Sequence, residues 1–492
     1  MKTFTRAARP PERESFTMKP WNKNHSTPFA LPCAAAIALF MSQGCVDNAS
    51  DADESSAAFS QTLFTAQEGS LVSFDLATGN KLAGEIADVK GPTDMQALED
   101  GTLLVNLTTT NEILAVDGKT MLQKGPRIPS SGKSAVKPVH SFITPEVGGK
   151  RYWVTMNDGS GTAASNSARF LHLDPDTAKY LKPAGELGLG IGHHKAAFSP
   201  DKQRVVISNI GDCDDIMSVF DFSDIADIAK ISTLTAAGAG FDGSDSLHTC
   251  DQTKKTGRAP SPHGCAAARN NAHALCNMTG TGVLVATDLD AASPSFKLIP
   301  TAGSGAGYTA AHPGGRYIYT LQSAPNEASG GKPCQVGQVA VVDMSKDSLV
   351  KELPLFYSGS DCKDALSGTK AKGTGPSHTL FNSTGDRAYI NIAASADSNS
   401  RVDKQLVLDV SDPADPKQLE SVSIGSSYGS HGETLSGDGK FLIVANNKDA
   451  TVSVIDAAAA KVVKTLDVGN AGKTMATFGT VEGPSHQVGP FH

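Results

Sequence analysis

The sequence lacks several signatures that would fix its chemistry at once. It has eight cysteines but no Cys-x-x-Cys pair and no Cys-x-x-Cys-His run. That argues against a zinc ribbon and against covalently attached c-type haem. No His-Glu-x-x-His occurs, so the zinc-protease helix is missing. Positive charge is also scarce. The formal net charge is −8, and the first 44 residues hold six Lys/Arg and two Asp/Glu, so the remainder carries −12. Generic nucleic-acid binding is disfavoured by that balance, and a cationic ligand is more natural. The N-terminal apolar run, Phe29 to Met41, is broken by Pro32 and is too short to span a bilayer.

What the N-terminus does have is an export signal. Lys19 and Lys23 precede the apolar run, as in a signal peptide, and Met18 is an alternative start. The run ends at Ser42-Gln43-Gly44-Cys45, then an acidic polar stretch, Val46 to Ala58. Gly before Cys resembles a lipoprotein cleavage site, although Ser42 stands where Leu is usual. Residues 1–45 are therefore expected to be a signal carrying Cys45 as lipidation site, 46–60 a flexible tether, and 61–492 one domain. The expected location is the periplasm or cell envelope, with membrane contact only through the lipid anchor.

Glycine is plentiful, 48 in all, which favours many turns and many short strands. Self-similarity recurs at roughly 45–70 residues. Phe198 to Asn209, Leu435 to Asn446, Phe381 to Asn391 and Ala311 to Thr320 share one plan. Each is a short strand, a Pro/Gly/Asp turn and a β-branched or aromatic strand. A third strand follows (Thr451 to Asp456, Val339 to Asp343) and a fourth closes the unit (Lys461 to Leu466). Four strands per unit around an axis make an all-β propeller. Opening strands start near Asp94, His140, His194, His263, Tyr308, His378 and His431, with a last strand near His486. That gives eight blades, with seven as the alternative. The strands in 61–86 lack an opening strand, so the C-terminal strand is expected to complete that blade and close the ring.

The opening strands carry the chemistry. His194 lies four residues before Phe198, His431 four before Leu435, and His378 three before Phe381. Gly91-Pro92-Thr93-Asp94 parallels Gly375-Pro376-Ser377-His378 and Gly483-Pro484-Ser485-His486. In a propeller this slot begins the innermost strand, where side chains from every blade converge. Imidazoles with a carboxylate suit zinc, with copper the alternative. A lone histidine there is usually a turn residue; recurrence in one slot is the argument. The favoured ligands are His140, His194, His263 and His431. Asp94, His378, His193 and His486 are alternates, and Glu433 is a group that could orient an imidazole through its other nitrogen. His312 reads as a solvated turn residue. The six downstream cysteines read as disulfides. Loop positions favour Cys213–Cys250 and Cys334–Cys362, and adjacent strands favour Cys265–Cys276. The alternative is that Cys250, Cys265 or Cys276 gives a thiolate to the metal.

A family resemblance rests on these same residues. Lys137-Pro138-Val139-His140 followed by Tyr152 to Gly159, the pair His193-His194, His263-Gly264 followed by Gly282 to Val285, and His431-Gly432-Glu433-Thr434 followed by Leu442 to Asn446 resemble segments of the periplasmic zinc metallochaperones called AztD. The unit at 441–466 is similar to the YVTN-type propeller repeat. The resemblance implies a propeller that binds zinc in the periplasm and hands it to the solute-binding protein of a zinc ABC transporter, and the chain is expected to be a monomer and not an enzyme. The chain departs from it in two places. The stretch Pro126 to Lys137 lacks the family's histidines, and Cys265 replaces a Glu. Two other functions compete. One is a copper redox enzyme of nitrous-oxide-reductase type, although no cupredoxin-like Cys/His/Met cluster follows residue 470. The other is a surface interaction or scaffold propeller without metal.

Overall fold

The structure is a computed structural model. It describes residues 62–133, 136–146, 148–159, 165–192, 194–210, 212–241, 261–269, 272–279, 282–323, 335–357, 374–394, 404–419, 421–424, 433–446, 450–468 and 474–477. The chain divides into two compact units, 1–49 and 50–492. The first lies wholly outside the described residues, and with it Cys45 and the expected signal.

The second unit is an eight-bladed propeller of four-stranded antiparallel blades. Blade 1 contains Thr62–Gln67, Gly69–Asp75 and Ile86–Val89; blades 2 to 8 open with Pro92–Ala97, Pro138–Ile143, His194–Phe198, Ser261–Ala267, Ser304–Ala311, Thr374–Phe381 and Glu433–Leu435. Each blade runs outward from its opening strand, and consecutive innermost strands touch in a closed circle. The innermost strand of blade 1 comes from the other end of the chain. It is Thr474–Thr477, antiparallel to Thr62–Gln67, with Ala66 opposite Thr474 and Leu63 opposite Thr477. Closure by the C-terminal strand is as expected, but that strand lies earlier than the segment around His486, which is outside the described residues.

Strands form here because both faces of each blade are apolar and β-branched. In blade 4, Val205 and Ile207 pack toward blade 3, while Val206 packs toward blade 5. Period-two alternation thus feeds two interfaces rather than one core and one solvent face. The buried hydrophobic side chains fall into eight clusters, one in each wedge between neighbouring blades. Propeller symmetry is written into that division.

The hairpin joining the first and second strands repeats its geometry. In blade 6 the Gly315 N–H donates to the His312 carbonyl at 2.8 Å, and in blade 8 Gly439 donates to Ser436 at 2.8 Å. Both glycines have positive φ, 81° and 69°, where a side chain is strained. The same bond joins Gly101 to Leu98 and Gly385 to Asn382. This explains the Pro/Gly/Asp turn signal. His312 itself is not solvated, contrary to the sequence reading. It is 5% exposed, its Nε2 lies 2.8 Å from the Gly385 carbonyl, and its ring meets Phe381 edge-on. The turn of blade 6 is tucked against blade 7, so a turn position became an interface position.

Cys265 and Cys276 stand opposite one another on adjacent strands of blade 5 and form a disulfide, with Cα atoms 4.1 Å apart. Cys213 is also disulfide-bonded. Cys250, Cys334 and Cys362 lie outside the described residues.

Candidate functional site

The slot at the start of the innermost strand is shaped by bulges. The ladder slips between Pro92 and Asp94, between Pro262 and Gly264, between Gly305 and Thr309, and between Pro376 and His378. A bulge inserts an unpaired residue and re-aims its neighbours. The slips leave Thr93, His263 and Ser377 unpaired, and Tyr308 lies within the slip of its blade, so Asp94, Gly264 and His378 hold equivalent positions. Opposite the slot, on the second strand, sits a buried amide. His194 faces Asn209, Asp94 faces Asn106, His378 faces Asn391 and Gly264 faces Asn277. These amides pin the rim. Asn157 Nδ2 donates to the Ser130 carbonyl at 3.0 Å, Asn209 Nδ2 to the Asp215 carbonyl at 2.8 Å, and Asn446 Nδ2 to Ser453 Oγ at 2.9 Å. The recurrent Asn ending the second strand was visible in the sequence, and its role follows only from the register.

At the centre stands a residue that the sequence reading passed over, Lys195. It is 4% exposed. Its Nζ lies 3.1 Å from His140 Nδ1 and 4.1 Å from the centre of the Tyr308 ring. A cation over an aromatic face is favourable, more so when desolvated. The other face of Tyr308 takes His378, stacked at 4.0 Å between ring centres, and His263 is 5.1 Å from Tyr308. His378 Nδ1 is 2.8 Å from Ser377 Oγ. Asp94 is fully buried; its Oδ2 accepts from the Ser141 N–H at 2.7 Å and from Ser141 Oγ at 3.0 Å. Its Oδ1 is buried without a hydrogen-bond partner among the described residues. One oxygen of the carboxylate is thus used for positioning, and the other is not.

The electrostatics follow from burial. Desolvation pushes the Asp94 carboxyl up to about 7, opposed by the Ser141 hydrogen bonds and the Lys195 charge. Desolvation brings the Lys195 ammonium down to about 7, opposed by Asp94 and Asp158. Burial also raises the Tyr308 phenol, and the two carboxylates add to that. Charge of either sign is costly here unless balanced, and Asp94 with Lys195 provides the balance.

The expected ligands divide. Asp94, His140, His263 and His378 gather around Lys195 and Tyr308. His194 does not join them. Its Nδ1 lies 3.2 Å from the Ser208 carbonyl and its Nε2 3.0 Å from Asn166 Oδ1, so both ring nitrogens are engaged away from the cluster. Adjacent strand residues face opposite ways, and Lys195 rather than His194 points inward. Glu433 is 2% exposed, accepts from the Gln405 side-chain amide, and is raised well above the usual carboxylate range by burial. His193, His431 and His486 lie outside the described residues. Among the described residues, no three His, Cys, Asp or Glu side chains come close enough together to hold a metal ion. A Gly-x-Ser-x-Gly match at 425–429 also lies outside them, and the neighbouring described elements are strands, not the strand–turn–helix that a nucleophile elbow needs.

No protein-family model and no curated protein matches the chain. Solved structures do resemble it. Apo AztD from Citrobacter koseri is 14% identical, over 87% of this chain and 99% of that one, with TM-score 0.39. The periplasmic gluconolactonase PpgL from Pseudomonas aeruginosa is 16% identical over 78% and 98%, with TM-score 0.49. The dihydro-heme d1 dehydrogenase NirN is 14% identical over 82% and 74%, with TM-score 0.46. A gluconolactonase and a dehydrogenase stand beside AztD here, and at these identities the likeness decides nothing about chemistry. No helix among the described residues is long and apolar enough to cross a membrane.

Proposed function

We propose that this chain is an exported propeller whose central channel binds a transition-metal cation, zinc foremost, with copper the alternative. The observation that carries the reading is the buried, unpartnered Oδ1 of Asp94 in a cluster that also holds His140, His263 and His378. Carboxylate and imidazole are the donor types that a divalent cation takes, and the described ones need further donors to hold it, since no three of them stand close enough together. The proposed donors are drawn from Asp94, His140, His263 and His378, not all four at once. A further donor completes the shell, and His193 and His431 immediately precede described strands that open on this rim. When bound, the metal is cargo. The positional resemblance to the AztD family supports delivery to the solute-binding protein of a zinc ABC transporter, and the N-terminal sequence supports a lipid anchor at Cys45. Elemental analysis of untagged, zinc-loaded protein tests the reading. About one zinc per chain supports it, copper alone moves it to the alternative, and no retained metal sinks it.

A further inference from the structure

We propose that His312 is an acid-operated latch between blades 6 and 7: on taking up a proton, its imidazole gives up the contacts that lock the two innermost strands together at their hairpin ends. This inference is independent of the metal-binding reading above.

The two partners of the ring fix its protonation state. The Gly314 N–H donates to His312 Nδ1 at 3.0 Å, so Nδ1 carries a lone pair and no proton. Nε2 lies 2.8 Å from the Gly385 carbonyl, which only accepts, so Nε2 carries the hydrogen. The imidazole is therefore neutral and in one tautomer. One nitrogen serves the hairpin of its own blade, the other the hairpin of blade 7. The fit is close: a Cβ on Gly385 would come within 3.1 Å of the imidazole Cε1. Phe381 meets the ring edge-on at 5.3 Å, and Tyr319 lies 6.3 Å away. A second proton has only Nδ1 to go to. It would set N–H against N–H at Gly314 and leave a cation in an apolar wedge, on a side chain 5% exposed. Burial holds the imidazole below its usual 6.5; the Gly385 carbonyl opposes this and the Arg269 charge adds to it. The unfolded chain takes up the proton first, so the seam is firm above about pH 6.5 and weakens as pH falls below it.

The other ionisable groups packed here do not titrate in that window. Hydrogen bonds from Asn382 and Thr384 hold Asp386, next to Gly385, below the usual carboxylate range, and Arg316 does the same for Asp343. Burial pushes the Tyr319 phenol up. Arg269, Arg316 and Arg387 stay cationic. One other histidine lies on these strands. It is His378, at the far end of Thr374–Phe381, stacked at 4.0 Å on Tyr308 of Ser304–Ala311. The two innermost strands are thus clamped at both ends, and acid releases the end that His312 holds.

Amide hydrogen exchange of the full-length protein tests the latch, read at about pH 7.5 and about pH 5 and corrected for the intrinsic pH dependence of exchange. The protein is treated with chelator beforehand, so that loss of a metal cannot be the cause. The reference is the seam between blades 8 and 1, read at 71–74 and 452–455, whose core cluster contains no histidine. In native protein, amides of 309–320 and 379–390 should lose at least about tenfold more protection at the lower pH than the reference does. His312→Gln keeps a donor for the Gly385 carbonyl, and His312→Asn keeps an acceptor for the Gly314 N–H. Neither side chain titrates, so both variants should lose this selectivity, and either serves where the other does not fold. Native protein in which both seams lose protection alike overturns the latch. Selective loss that persists in a His312 variant also overturns it, because another group, His378 first, would then be the sensor.

Discussion

Removing the closing strand should weaken the propeller by a predictable amount. The perturbation is a stop codon after Val468, compared with a chain ending after Thr477. The shorter chain loses Thr474–Thr477 and its pairing with Leu63, Phe64, Thr65 and Ala66. Those four partners are all at 0% exposure. A four-pair antiparallel contact holds about four backbone hydrogen bonds, each contributing roughly 0.5–1.5 kcal/mol net. The loss is therefore about 2–6 kcal/mol before any apolar surface is counted. Ordinary domains have only about 5–15 kcal/mol to lose. Urea denaturation followed by tryptophan fluorescence reads the difference, since Trp153 is fully buried between blades 2 and 3. The midpoint should fall for the chain ending at Val468 and not for the reference. Equal midpoints would refute ring closure by this strand.

Other outcomes follow from single contacts. Arg316 grips Asp343 through two hydrogen bonds, 2.9 and 2.6 Å, and holds its carboxyl well below the usual carboxylate range. A depressed folded value gives stability that is present above the unfolded value of 3.8 and lost as pH falls through the folded one. Asp343→Asn should thus cost about 1.5–3 kcal/mol at pH 7, with the deficit shrinking below about pH 4; a deficit constant over that range contradicts the ion pair. Cys265 and Cys276 should resist alkylation until reduced, and reduction should cost roughly 2–3 kcal/mol for so short a loop. Labelling of either thiol in unreduced protein removes the bridge. His194→Ala should lose about 1–3 kcal/mol of stability, because the buried Ser208 carbonyl and Asn166 side chain each lose a hydrogen-bond partner, and should change zinc affinity by less than about threefold. A tenfold loss of affinity would return His194 to the ligand set.

Much of this architecture was legible in the sequence because it repeats. A turn of fixed geometry at 98–101, 312–315, 382–385 and 436–439 leaves a recurring Gly, and alternation that is apolar on both faces marks strands packed between two neighbours. The Cys265–Cys276 bridge was legible from strand adjacency alone. The closing strand was misplaced because Gly483-Pro484-Ser485-His486 copies the opening motif of blade 7, while Thr474–Thr477 carries no motif at all. The site was half legible. Asp94 and His378 share a register position, while His263 lies one residue before it and His140 pairs with Met156, and no three of these side chains come close enough to hold a metal. Lys195 was hidden because a lysine on a strand reads as solvated, and because His194 and Lys195 are alternating neighbours that face opposite ways. No rule of period two says which of two neighbours faces the channel; here the facing Asn209 and the acceptors around His194 decided it. Bulges at four slots are equally invisible in sequence, since they depend on how one strand slips against the next.

The central claim is that the channel holds a divalent metal on Asp94 and the imidazoles around Lys195. Zinc content of untagged native protein and of Asp94→Asn, each loaded with zinc and freed of excess, tests it most directly. The account predicts about one zinc per native chain and at least a tenfold loss of affinity in Asp94→Asn, with both proteins folded. Native protein that keeps no metal after loading, or an Asp94→Asn variant that binds as tightly as native, would contradict it.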